Sequence, residues 1–158
     1  MVYTGRMKPY CLAPREIEER LSTAGVRPTA QRIAIAQFVL CEANHPTADD
    51  VKHWTDMNFP KLSLATVYNT LSALVKAGLL REFRLPHSTK VIYDHNIESH
   101  HHFLDEKSGK LYDLSADEIE VKIKRVKVRQ VEVLLRRPLS GGPRSAQGLI
   151  TTTNQERP

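Results

Sequence analysis

The amino-acid sequence predicts an α+β fold in which four helices and a basic β-hairpin precede a small α/β unit. Three observations predict it. Apolar residues recur at helical spacing up to Gly78, the pattern then changes to period two, and short strand-like runs follow through Leu114. The 158 residues suffice for one domain or two small ones, and 41% hydrophobic content supplies an ordinary core.

The first helix is read from Pro14 to Ala24, where Ile17, Leu21 and Ala24 share a face, Pro14 sits near the start and Gly25 is a stop. Thr29 caps a second helix through Ile33, Ala36, Phe38 and Leu40, which ends before Asn44-His45-Pro46. Thr47 caps a third, whose Asp49 and Asp50 suit the positive end of the helix dipole and whose Val51 and Trp54 face inward. Ser63 caps a fourth that ends near Gly78. On this last helix Val67, Leu71, Leu74 and Val75 form a core stripe, while Ala65, Tyr68, Asn69 and Ser72 form a second face that is small, polar and uncharged. A plain solvent face would carry more Lys and Glu; amides and one aromatic ring suit base edges in a major groove.

Leu79 to Leu85 and Thr89 to Asp94 read as a hairpin turning at Pro86-His87-Ser88, with Arg81, Arg84 and Lys90 as its charges. Helices followed by a basic hairpin describe a winged helix–turn–helix, in which those cations would contact phosphates. Beyond it, His100–Leu104 and Lys110–Leu114 read as strands, Ser115-Ala-Asp-Glu118 as a capping-box helix start, and the end of Val121–Leu135 as a further strand. Residues 1–13 are expected to be a flexible N-terminus and 138–158, rich in Gly, Pro, Ser and Thr, a disordered tail.

A net charge of +5 and a pI of about 9.3 make an acidic partner such as nucleic acid plausible. No apolar run can span a bilayer and no signal peptide is visible, so the expectation is a cytoplasmic protein without a membrane partner. Cys11 and Cys41 are isolated, which excludes a four-cysteine structural zinc within one chain, and both are expected to be free thiols.

The chemistry concentrates between Asp94 and Asp113. Within about twenty residues lie a carboxylate, histidines at i and i+2, and a second carboxylate. On a strand His100 and His102 share a face and can grip one ion, while His101 points away. Nitrogen and oxygen donors without thiolate suit Mn(II), Fe(II) or Zn(II). The bland reading is a solvated polar strand with a chance His run.

Together these segments carry a resemblance. Ala24-Gly-Val-Arg-Pro-Thr-Ala-Gln-Arg32, His45-Pro-Thr-Ala-Asp-Asp50, Ser63-Leu-Ala-Thr-Val-Tyr-Asn-Thr-Leu71, Ala77-Gly-Leu-Leu80 and His100-His-His102 through Gly109-Lys-Leu-Tyr-Asp113 resemble, in order and spacing, the ferric uptake regulator superfamily over roughly Ile17 to Leu135. The resemblance implies a winged-helix DNA-binding domain over 14–94 and a dimerisation and metal-binding domain over 95–137. It further implies a homodimeric, metal-responsive repressor of iron-homeostasis or peroxide-stress genes that binds double-stranded DNA at an AT-rich inverted repeat.

By resemblance the regulatory ligands fall on His45, Asp94, His100, His102 and Asp113, holding Fe(II) or Mn(II) between the domains, with Zn(II) as an in-vitro substitute. His101 and Glu120 could contribute to a second metal or a haem, although Ser99 occupies another expected ligand position. DNA contacts fall on Arg27, Tyr68 and Asn69, with Ser63, Ala65 and Thr66 at or near the groove and Arg32 touching phosphate or pairing structurally. Asp105 and Ser108 stand where the family's first pair of zinc cysteines would be. That absence, the triple histidine and the fourth helix look like the iron response regulator branch, in which haem releases a protein that binds DNA without metal. The Cys-Pro haem motif is missing, however, because Leu12 follows Cys11. Asp94 and Asp113 match the peroxide-sensing regulators, in which bound Fe(II) reacts with peroxide and a ligand histidine is oxidised. A non-haem metalloenzyme is the rival class. Five candidate ligands leave little room for substrate, and no nucleophile–base pair or phosphate loop accompanies them, so no catalytic residue and no small-molecule substrate are expected.

Overall fold

A computed structural model describes residues 11–59, 61–122, 124, 127 and 130–137. The chain divides into two compact units, with the break after Ile97.

The first unit contains α1 (Pro14–Thr23), α2 (Ala30–Gln37), a π-helical turn (Phe38–Glu42), α3 (Ala48–Asn58), α4 (Leu64–Lys76), β1 (Arg81–Arg84) and β2 (Val91–Asp94). The capping residues read from the sequence make the bonds expected of them. Thr29 accepts from the Arg32 amide, Ser63 from the Thr66 amide, and Thr47 with Asp50 closes a complete capping box. Gly78, at φ +68°, closes α4: its amide donates to the Val75 carbonyl, and that of Leu79 to Leu74. A residue with a Cβ would be strained in that left-handed position. Ile17, Leu21, Ile35, Val39, Val51, Val67, Leu71 and Leu74 have no solvent exposure and form one core. Each such side chain contributes roughly 1.5–3 kcal/mol before the entropy of ordering it is charged. Burial, with Glu82 and Tyr68 nearby, holds the Tyr93 hydroxyl above its ordinary titration range, so this core edge stays uncharged.

The hairpin is antiparallel, with Arg81 opposite Asp94 and Arg84 opposite Val91. The segment leading into α3 lies along β2: the Tyr93 amide donates to the Pro46 carbonyl at 2.9 Å, and Thr47 bridges Ile92.

The second unit holds β3 (His101–Asp105), β4 (Leu111–Leu114), a 3-10 turn (Ala116–Glu118) and β5 (Leu134–Arg137). β3 is central, antiparallel to β4 and parallel to β5. Among the described residues Phe103 and Leu114 anchor its core cluster, with Tyr112, Ile119 and Leu135 against them, and Leu111 is buried as well. The capping box at Ser115 and Glu118 forms but nucleates one 3-10 turn instead of a helix.

The expectation of free cysteines is corrected. Cys11 and Cys41 form a disulfide with Cα atoms 4.7 Å apart. The partners are 30 residues apart in sequence, and only the packing of the chain before α1 against the π-helical turn brings them together. Residue 11 is therefore tethered, whereas the rest of the expectation for the N-terminus (residues 1–10) and that for 138–158 lie outside the described residues.

Candidate metal centre and nucleic-acid interface

In the second unit, strand alternation sorts the three histidines. His100 and His102 face one way, their Nε2 atoms 3.0 Å apart. The Asp113 Oδ1 lies 3.7 Å from the first Nε2 and 4.0 Å from the second, because β3 pairs His102 directly with Asp113 on β4. His101 faces the other way, is 5% exposed, and its Nδ1 accepts from the Val133 amide.

The hydrogen bonds behind the rings decide what the front can do. The His100 Nδ1 is 2.8 Å from the Glu98 carbonyl, and the His102 Nδ1 is 3.1 Å from the Glu132 carboxylate. Both oxygens can only accept, so both Nδ1 atoms carry the proton. In the neutral rings each Nε2 then presents a lone pair, and the two, 3.0 Å apart, converge where a shared cation would sit. Donors about 2.1 Å from a shared ion lie roughly 3–4 Å from one another, the range these three atoms occupy. The residues therefore fit a hard or borderline divalent ion.

The first unit builds a similar pair. His45 is at φ 49° in the turn before α3, and its Nδ1 meets the Asn44 Oδ1 at 3.0 Å. Its Nε2 faces the Asp94 Oδ1 at 4.0 Å, too far for a hydrogen bond. Asp94 has no solvent exposure; it accepts from the Asn96 amide at 2.8 Å and lies 4.0 Å from the Arg81 guanidinium.

That last contact revises the reading of the hairpin cations. Arg81 is directed at a buried carboxylate, and Lys90 forms an exposed pair with Asp49 on α3 at 3.3 Å. Arg84 is the exposed one of the two β1 arginines. With Tyr68 and Lys90 it lines a surface depression of about 420 Å³ between α3, α4 and the hairpin. Ala65, Tyr68, Asn69 and Ser72 are all exposed on α4, as the face pattern requires, with Tyr68 at 46%. Ser63 is exposed and Thr66 half-buried; their side chains bond each other at the start of α4. Arg27 is exposed, and Arg32 donates to the Arg27 carbonyl at 2.7 Å, which gives Arg32 a structural role.

Glu120 is exposed and pairs with Lys122 at 3.1 Å. Where zinc cysteines would stand, Asp105 accepts from the Lys107 amide, the Ser108 amide and the Ser108 hydroxyl, so a hydrogen-bonded turn takes the place of a metal knuckle. Sequence reasoning missed Glu98, Arg81 and Glu132 as partners of the ligand side chains. The only signal for Glu132 is its place two residues before Leu134 in an alternating run, which is informative once the β5 register is known.

Residues 23–135 match the Ferric uptake regulator family. The peroxide-responsive repressor PerR of Staphylococcus epidermidis is 36% identical over 111 residues, covering 66% of this chain and 73% of that relative. The ferric uptake regulator of Vibrio cholerae has a similar solved structure, with TM-score 0.63 and 21% identity over 77% of this chain and 98% of its own. That of Pseudomonas aeruginosa, solved with manganese, gives 0.60 and 22% over 79% and 98%. The two structures share the fold.

Proposed function

Because this chain belongs to the ferric uptake regulator family, whose members are transcriptional regulators and not enzymes, we propose that it is a metal-dependent, peroxide-responsive repressor. Its operator is double-stranded DNA carrying an AT-rich inverted repeat, bound by a homodimer. The ligands are His45, Asp94, His100, His102 and Asp113, and the ion is Fe(II) or Mn(II). One observation carries the reading: two imidazole lone pairs and a carboxylate converge in the second unit, each imidazole held in the required tautomer from behind. The pairing of His45 with Asp94 supports an equal contribution from the first unit. The PerR relative favours peroxide as the signal, as does the resemblance of Asp94 and Asp113 to the peroxide-sensing regulators. Bound Fe(II) would supply the electron that lets peroxide oxidise a ligand histidine. The small core among the described residues of the second unit supports a dimer, since three buried apolar side chains, Phe103, Leu111 and Leu114, are few for a unit that stands alone.

Coupling between metal and operator follows from linkage. An ion that needs ligands from both units favours the arrangement that presents them all, and if that arrangement also fits the operator, each ligand raises affinity for the other equally. The exposed face of α4 reads bases, Arg27 supports it, and Arg84 meets phosphate.

The test is fluorescence anisotropy on an AT-rich inverted-repeat duplex at fixed salt, comparing chelated and Mn(II)-loaded protein, because phosphate contacts make affinity salt-dependent. A large Mn(II)-driven gain is expected, with the Fe(II)-loaded protein released by peroxide and the Mn(II)-loaded protein retained. Equal, tight binding without metal would overturn the corepressor reading in favour of release by haem.

A further inference from the structure

We propose that Glu132 is a positioning residue for this centre: its carboxylate holds His102 in the tautomer and rotamer that turn Nε2 toward the ion. The inference rests on the metal reading above and names a residue outside the ligand set.

Strand register brings Glu132 there. β5 runs parallel to β3 with Leu134 opposite His102, so a residue two positions earlier lies on the same face as His102, one step back along the strand. Two bonds fix that approach. The His102 amide donates to the Val133 carbonyl at 2.9 Å, and the Val133 amide donates to the His101 ring at 3.3 Å. Glu132 is thus held by its neighbours on the side of the ring remote from the site. The contact joins the Glu132 Oε1 to the His102 Nδ1 at 3.1 Å, and the opposite ring nitrogen faces Asp113 and His100. Glu132 consequently does not compete for the ion.

The environment makes the contact consequential. The His102 side chain is 2% exposed, whereas that of Glu132 is 37% exposed. Glu132 itself covers the ring from solvent, and a water admitted in its place could donate or accept and so would not fix the tautomer. An imidazole without a partner there can carry its proton on Nε2 or rotate, and either change withdraws the lone pair. His100 has a backbone carbonyl for this purpose, which substitution cannot remove. His102 depends on a side chain, so its orientation can be altered by mutation. Carboxylates behind ligating histidines elsewhere contribute about 10–100-fold to metal affinity.

The experiment uses the full chain as wild type, Glu132→Ala, Glu132→Gln and His102→Ala. Mn(II) affinity is measured from the paramagnetic resonance signal of the free ion. The His102 tautomer is read in metal-free protein by nitrogen-15 correlation spectroscopy of the imidazole ring. Wild type is expected to show the proton on Nδ1. Glu132→Ala is expected to lose that preference and to bind Mn(II) about 10–100-fold more weakly. Glu132→Gln, whose amide oxygen still accepts, is expected to keep the tautomer and most of the affinity. A purely structural role would not move the tautomer while leaving circular dichroism unchanged. An unaltered tautomer in Glu132→Ala overturns the proposal, as does an altered tautomer with wild-type affinity. Failure of wild type itself to take up Mn(II) overturns the metal reading, and the metal-free spectra still decide whether Glu132 orients His102.

Discussion

Asp94→Asn should separate the structural and ligand roles of the most buried carboxylate in the first unit. Asp94 has no solvent exposure and faces Arg81, whose side chain is 23% exposed, at 4.0 Å. At that separation the attraction is about 4 kcal/mol for an effective dielectric constant near 20, and much of it is cancelled by the desolvation of both groups. Asparagine keeps the volume and can still accept from the Asn96 amide, so the net loss is the charge pairing. We expect metal-free protein to lose about 1–3 kcal/mol, the range for hydrogen-bonded charged groups when one partner is removed. Urea unfolding followed by the fluorescence of Trp54, the single tryptophan, reports on this unit directly, since its ring stacks on Phe38 at 4.4 Å. Mn(II) at a hundred times its dissociation constant should stabilise wild type by about 2.7 kcal/mol, and most of that gain should vanish in the variant. Adding Arg81→Met removes the stranded cation and should restore metal-free stability without restoring the Mn(II) effect. A variant as stable as wild type without metal would refute the pairing argument. One that keeps the full Mn(II) gain would refute the ligand assignment.

Two further outcomes follow from the same geometry. Tyr68→Ala should weaken operator binding by about 1–3 kcal/mol, the worth of a good base contact, while Mn(II) affinity and the unfolding midpoint stay at wild-type values, because a ring 46% exposed contributes little to the core; an equal fall in metal affinity would mean a damaged fold. Thiol titration of the unreduced protein should find no reactive cysteine, two thiols should appear on reduction, and opening the 30-residue loop should cost about 3–4 kcal/mol in urea unfolding.

Local signals made most of the first unit legible. Thr29, Thr47 and Ser63 cap helices where a short polar side chain precedes an apolar stripe, and Gly78 stops α4 where only glycine is comfortable. The ligand face of β3 was equally legible, because strand alternation alone puts His100 and His102 together and His101 apart. What was illegible depends on contacts distant in sequence. Nothing near Cys11 announces Cys41, and nothing near Arg81 announces that it faces Asp94. The Ser115 capping box shows the limit of a local rule: the turn closes, yet the alternating β-branched residues that follow, Ile119 and Val121 first, favour extended chain, and Ile119 is already extended.

Three consecutive histidines therefore perform different tasks. His100 and His102 each spend Nδ1 on an acceptor, a carbonyl in one case and a carboxylate in the other, and each turns Nε2 toward Asp113. His101 does the reverse: its Nδ1 accepts from the Val133 amide, so that nitrogen must be unprotonated and the ring proton sits on Nε2. The same backbone run thus demands opposite tautomers from adjacent rings, and the demand is met through one segment, because Glu132 supplies an acceptor and Val133 a donor. Shifting β5 by one residue would move Glu132 to the opposite face and take the acceptor away from His102. On the proposed reading the register of this edge strand is therefore part of the metal centre, although β5 contributes none of the proposed ligands.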